Sequence, residues 1–206
     1  MHWNEYRTEA ERALTTVSPV MLYALAGSVF GAWEKGRTVF TCGNGGSAAN
    51  ASHLAQDLAK GTEAWRWGRP LHATALTDNV GAITAWANDS SYDRIFSAQL
   101  ANQGRAGDIL IAISGSGNSE NVLRAVKTAH HLEMRTWGIC GYDGGKLMGL
   151  AHRHIHVASN NMGLVEAVHG VVFHWLIGHL YGLFAKSHGG LSIMDALPPA
   201  GVGEGA

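Results

Sequence analysis

The sequence predicts a three-layer α/β sandwich, a parallel sheet flanked by helices on both faces. Three observations predict it. Short β-rich runs alternate along the chain with segments of helical periodicity. The run Asp108-Ile-Leu-Ile-Ala-Ile-Ser114 is apolar almost throughout, as a strand buried on both faces must be. Glycine-rich turns close two of the runs immediately before a helix, which is the strand–turn–helix unit of parallel folds.

In chain order, residues 3–35 carry apolar positions at helical spacing, and Ser18-Pro19 marks a junction between two helices. Arg37-Thr-Val-Phe-Thr-Cys42 reads as a strand ending in Gly43-Asn44-Gly45-Gly46-Ser47, and Ala48 to Ala59 as the helix that follows. Leu71 to Leu76 reads as a strand, followed by a helix through Ala87, a turn at Asn88-Asp89-Ser90-Ser91 and a helix from Tyr92 to Gln103. The strand 108–114 precedes a loop at 115–118 and a helix to His131. Arg135 to Cys140 is a further strand, Gly141 to Gly145 a turn, and His152 to Val157 alternates as a half-exposed edge strand. Gly163 to Phe184 is a long, mostly apolar helix, and the Gly- and Pro-rich tail from Ser187 is expected to be poorly ordered. No linker divides the pattern, so a single domain over 1–206 is expected.

Composition bounds the function. With 206 residues, 46% hydrophobic and 15% charged, the chain can bury a substantial core. A net charge of −1 and the lack of a basic run give nucleic-acid binding no electrostatic support. Cys42 and Cys140 sit in strand-like runs and read as buried free thiols of a reducing compartment. The N-terminus MHWNEYRTEAER has no apolar signal core, and Glu166 and three histidines interrupt the most apolar segment, Val165–Phe184. The expectation is a cytoplasmic protein with no membrane partner.

Ile113-Ser114-Gly115-Ser116-Gly117-Asn118-Ser119-Glu120-Asn121 is the most informative stretch. Glycines let backbone approach a ligand closely, and the N–H groups and dipole of the following helix favour an anion. Three serine hydroxyls add neutral donors. No lysine is present, so a nucleotide P-loop is excluded and a small phosphomonoester fits better. The alternative is a tight strand-to-helix turn with Ser as N-cap. Cys42-Gly-Asn-Gly-Gly-Ser47 repeats the arrangement at the end of another strand and bears the same two readings.

These two loops, with Ala48-Ala-Asn-Ala-Ser-His53, Ala87-Asn88-Asp89 and Gly141-Tyr-Asp-Gly-Gly145, resemble the sugar isomerase (SIS) fold and, within it, the phosphoheptose isomerases. The likeness runs from about Trp33 to Trp175. It implies a flavodoxin-like sheet and a homotetramer with active sites between subunits. It also implies a Zn²⁺ or similar divalent ion in each site, and conversion of a ketose phosphate to an aldose phosphate. Carried over by position, Asn44, Gly45, Gly46 and Ser47 form the first substrate loop, and Asn88 and Asp89 the second. Ser114, Gly115, Ser116 and Ser119 grip the phosphate. His53, Asp57, Glu166 and His174 are implied as metal ligands, with Asp57 and Glu166 also facing substrate and Asp57 and His174 as the acid–base pair.

Read from spacing alone, His53 and Asp57 share a helix face, and Glu166 and His174 lie broadly on one side of the last helix. Most such pairs are surface pairs. The chain also departs from the family. Asp57 and Glu166 stand where Glu and Gln are usual, Gly115 where Thr is usual, and Gly61 where an Arg is often found; Lys60, Arg66 or Arg69 are candidates to replace that Arg. The segment Glu63-Ala-Trp-Arg-Trp-Gly-Arg69 is longer and more aromatic than usual, suited either to reshape the sugar pocket or to pack in a subunit interface. The leading expectation is a metal-dependent isomerase acting on sedoheptulose 7-phosphate. The alternatives are an isomerase of another sugar phosphate and a non-catalytic SIS module of the kind that binds the bacterial replication initiator.

Overall fold

A computed structural model describes residues 2–187. Helices α1 (Trp3–Thr15) and α2 (Pro19–Glu34) lead into β1 (Thr38–Cys42) and α3 (Gly46–Gln56), which continues as a π turn, Asp57–Gly61, and a short 3₁₀ turn, Ala64–Trp67. Next come β2 (His72–Ala75), α4 (Val80–Asp89), a 3₁₀ turn at Tyr92–Arg94 and α5 (Ile95–Gln103). The chain closes with β3 (Ile109–Ser114), α6 (Glu120–His131), β4 (Arg135–Cys140), α7 (Gly145–Leu150), β5 (Arg153–His156) and α8 (Met162–Ser187). The tail expected from Ser187 lies outside the described residues beyond that serine.

The five strands are all parallel, in the order β2-β1-β3-β4-β5. Every strand therefore points its carboxyl end to one edge of the sheet. The order reverses between β1 and β3, which is where open α/β sheets leave a crevice for ligands.

Side-chain alternation divides the core in two. Val39, Ile109, Ile111, Ile113, Trp137 and Ile139 face one layer with α2, α3 and α8; Phe40, Cys42, Leu110, Ala112 and Cys140 face the other with α5, α6 and α7. Central strand β3 is buried at all six positions, which is why its sequence is apolar without alternation. Edge strand β5 alternates, as its sequence predicts. Pro19 occupies the first turn of α2, where its missing N–H costs nothing, and Ser18 caps it by accepting from Met21 N–H at 3.5 Å.

Three expectations need adjustment. The helix after β1 starts at Gly46 and leaves α geometry after Gln56. The turn after β4 runs into the short helix α7. By length and composition α8 is apolar enough to cross a membrane despite Glu166 and its histidines; its place here is that of a core helix, with nine residues buried, among them His169. Both thiols are buried and free, and burial pushes each up to about 12, so both stay protonated.

Candidate active site

The two glycine-serine loops leave the adjacent strands β1 and β3 at the switch point. They are tied to each other by reciprocal amide bonds. Asn44 Nδ2–H donates to Asn121 Oδ1, and Asn121 Nδ2–H donates to Asn44 Oδ1, both at 2.8 Å. Asn121 is buried in the first turn of α6, and its Oδ1 also accepts from Val122 N–H at 3.0 Å. Tyr92 Oη–H adds a bond to Asn44 Oδ1 at 3.1 Å. Neither Asn121 nor Tyr92 carries a spacing signal that marks this role, and sequence reasoning missed both.

The second loop is shaped by close backbone approach. Gly117 has φ +66°, and a Cβ there would lie 2.0 Å from the Gly144 carbonyl oxygen. Only glycine fits both conditions. Ser114 Oγ–H donates to Ser119 Oγ at 3.2 Å, and Ser116 Oγ accepts from Asn118 N–H at 3.3 Å. Ser119 is the N-cap residue of α6 without a side-chain cap bond of its own, so the hydroxyl is not consumed by the helix end. Hydroxyls, glycine backbone and a helix N-terminus are thus gathered in one loop suited to an anion.

In the first loop, Gly45 adopts φ 55°, ψ −123°, a glycine conformation, and opens α3. Ser47 is buried in that helix's first turn. Above Gly46 lies the Glu166 carboxylate: a Cβ at Gly46 would meet Oε2 at 2.3 Å and Oε1 at 2.4 Å. Asn50 Nδ2–H donates to the Glu166 carbonyl at 3.1 Å and fixes α8 against α3.

Further along the same two helices, His53, Asp57 and His174 gather. One ligand atom from each lies within 4.8 Å of the others. His53 Nε2 is 3.3 Å and His174 Nδ1 3.8 Å from Asp57 Oδ2, and the two rings meet edge-on at 4.9 Å. Two imidazoles and a carboxylate with an open side match the donor set of a divalent-ion site that keeps a position for substrate. Glu166 is not in this trio. It covers Gly46 of the first loop, two turns before His174 on α8. Asn88 and Asp89 end α4, both exposed, with Asn88 Nδ2–H donating to Asp89 Oδ1 at 2.7 Å.

Asp57 owes its position to the π turn. Thr62 N–H donates to the Asp57 carbonyl at 3.1 Å, an i→i+5 bond, where an α-helix would bond four residues on. Gly61 closes the turn against both partners: a Cβ there would meet Ile177 Cγ2 of α8 at 3.3 Å and Asp57 Oδ1 at 3.6 Å.

The SIS domain model matches residues 4–141. Over 176 residues the chain is 35% identical to the probable phosphoheptose isomerase of Thermoplasma acidophilum, covering 85% of this chain and 96% of that relative. The chain belongs to the phosphoheptose isomerase family of SIS-domain proteins. Two solved phosphoheptose isomerases share the architecture. That from Francisella tularensis superposes with a TM-score of 0.81 at 33% identity, and that from Neisseria gonorrhoeae with 0.80 at 31%; each comparison covers 87% of this chain and 96% of the other. As a member of this family the chain is an enzyme of the aldose–ketose isomerase type.

Proposed function

We propose that the chain interconverts sedoheptulose 7-phosphate and an aldose heptose 7-phosphate through an enediol(ate). The observation that carries the reading is the His53–Asp57–His174 trio, on the same helices that frame an anion loop at the sheet's switch point. The family supplies the substrate class. The trio lies at a different level of α8 from Glu166, which covers the first loop: the helix rises about 12 Å between Glu166 and His174.

The roles proposed are these. Ser114, Gly115, Ser116 and Ser119 bind the phosphate through hydroxyls and helix N–H groups, and Asn121 holds that loop to the first one. Asn44, Gly45, Gly46 and Ser47 bound the sugar, and Asn88 and Asp89, assigned to it by the family resemblance, form the second substrate loop. Glu166, over Gly46, accepts from a sugar hydroxyl.

Asp57 Oδ2 takes the proton from the ketose C1, and His174 Nδ1 gives one to the C2 oxygen, which leaves the enediol. The O1 proton then leaves to His174 and the proton on Asp57 is delivered to C2, so every atom and both residues return to their starting state. With His174 neutral and Asp57 ionised, His53, Asp57 and His174 would hold a divalent ion such as Zn²⁺. When bound, it supplies charge stabilisation to the oxygen on which negative charge develops.

Homotetramer assembly belongs to the same proposal. What supports it is exposure. The His174 side chain is 63% exposed, and beside it Tyr23, Trp175 and His179 form a ring cluster with centroids 5.0–5.4 Å apart on the outer face of α2 and α8. A proton-transfer site works best screened from water, and a second copy over this face would screen it.

The test is incubation with sedoheptulose 7-phosphate, followed by NMR for the aldose signal. His174→Ala should reduce turnover at least about a hundredfold while inorganic phosphate binding at the serine loop persists. Parent-level turnover in that variant would sink the assignment. Aldose formation from another sugar phosphate but not from this one would move the substrate, not the chemistry.

A further inference from the structure

The parallel sheet brings all strand amino ends to the edge opposite the site, and a cavity of about 590 Å³ opens there between α2 and the starts of β3, β4 and β5. Its wall collects cations from four separate places in the chain. Lys35 caps α2, Arg37 precedes β1, Arg135 begins β4 and Arg153 begins β5. None of the four forms an ion pair among the described residues; the pairs that do form use Arg7, Arg66, Arg124, His53 and His174.

Opposing charge is scarce. Glu133 is the single carboxylate on the wall. Asp108, behind it, is spent on backbone: its Oδ1 and Oδ2 accept from Thr38 N–H and Arg105 N–H, each at 2.9 Å. In a chain of net charge −1, four cations without ion pairs among the described residues, against Glu133 on the wall and the buried Asp108 behind it, leave a localised positive excess at this concavity.

The cavity is shaped as well as charged. Gly107 has φ +86°, and a Cβ there would meet Arg37 Nε at 3.1 Å. The missing side chain lets the Arg37 side chain pass close over Gly107, two residues before β3. Arg153 stacks over the Trp137 ring, 5.9 Å from its centroid. His152, also on the wall, is oriented by Thr136: its Nδ1 lies 2.7 Å from Thr136 Oγ1, which His130 Nε2 also meets at 3.0 Å. Among the described residues His152 Nε2 has no protein partner.

We infer that this cavity is a second anion site, for a small molecule carrying a diphosphate or triphosphate. Three guanidinium forks and an ammonium suit several phosphate oxygens at once, where the neutral serine loop suits one phosphomonoester. The volume falls in the range of small-molecule sites, roughly 300–1,000 Å³. Lying at the opposite sheet edge, the site stands independently of the isomerase reading.

The test is titration calorimetry of the full chain with inorganic pyrophosphate and with ADP. The expected result is one pyrophosphate or ADP bound per chain, weakened at least about tenfold by Arg135→Gln/Arg153→Gln and by Lys35→Gln/Arg37→Gln, but not by Ser116→Ala/Ser119→Ala. The two exposed basic pairs should keep the parent's circular dichroism and its turnover without polyanion. Equal affinity for both probes means that the polyphosphate alone is read; tighter ADP means that the nucleoside is read too. The inference fails if neither probe binds at millimolar concentration. It fails equally if both basic pairs bind like the parent, or if the serine variant loses binding.

Discussion

At the scale of single residues, the site is set as much by missing side chains as by those present. Gly46 has helical dihedrals and would accept alanine on backbone grounds, yet its Cα faces both oxygens of Glu166. Gly46→Ala should therefore leave melting within a degree or two of the parent and push the Glu166 carboxylate aside, since a flexible side chain yields at little cost. Under the proposed role, KM for the sugar phosphate rises about tenfold. An unchanged KM would remove Glu166 from the substrate's surroundings. Gly117 behaves differently: its φ of +66° and the Gly144 carbonyl oxygen, 2.0 Å from any Cβ, leave no side chain to yield. Gly117→Ala should cost about 2–3 kcal/mol or more of stability and abolish phosphate binding; a denaturation midpoint equal to the parent's would show that the loop relaxes freely. Gly115 explains a departure noted in the sequence. A Cβ there would meet Met162 Sδ at 2.4 Å, so the room for the Thr usual in the family is filled by a residue of α8.

At the scale of elements, legibility follows how local the cause is. β3 and its loop were readable because a buried parallel strand and a Ser/Gly turn are both written in consecutive residues. The break between α1 and α2 was readable from Ser18-Pro19 for the same reason. The π turn at Asp57–Gly61 was not, because nothing in Asp-Leu-Ala-Lys-Gly differs from an ordinary helix end; the cause is α8, whose Ile177 packs on Gly61. The turn read at Gly141 to Gly145 stops where α7 begins, and the helix itself went unread because six residues leave too short a window for periodicity. The sequence placed His53, Asp57, Glu166 and His174 together through the family resemblance, and three of them do meet. Spacing of eight residues along α8 could not tell that Glu166 would sit instead over Gly46. The amide pair of Asn44 and Asn121 joins two loops far apart in the chain and leaves no local trace.

At the scale of the whole molecule, α8 connects the core to the chemistry, and His169 is where the two meet. It is fully buried, its Nε2–H donates to the Cys140 carbonyl at the end of β4 at 3.3 Å, and its Nδ1 has no hydrogen-bond partner among the described residues. Burial, only partly offset by that bond, holds it down to about 4, so it is neutral at ordinary pH. The consequence for stability has a definite sign. Above pH 6.5 neither state protonates this ring. Between 6.5 and about 4 the unfolded chain binds a proton that the folded chain refuses, so stability falls as pH falls through that window and levels off below it. The depression corresponds to about 3 kcal/mol at most. His169→Leu removes the group, and subtracting its pH profile from the parent's cancels the other eleven histidines. The parent should lose about 3 kcal/mol relative to the variant between pH 7 and 4, measured by denaturant midpoints; parallel profiles would mean that His169 titrates normally. Because His169 lies three residues after Glu166 and five before His174, its protonation would loosen the stretch of helix that carries both. Turnover should then fall in acid before global unfolding, and the variant should shift that loss to lower pH.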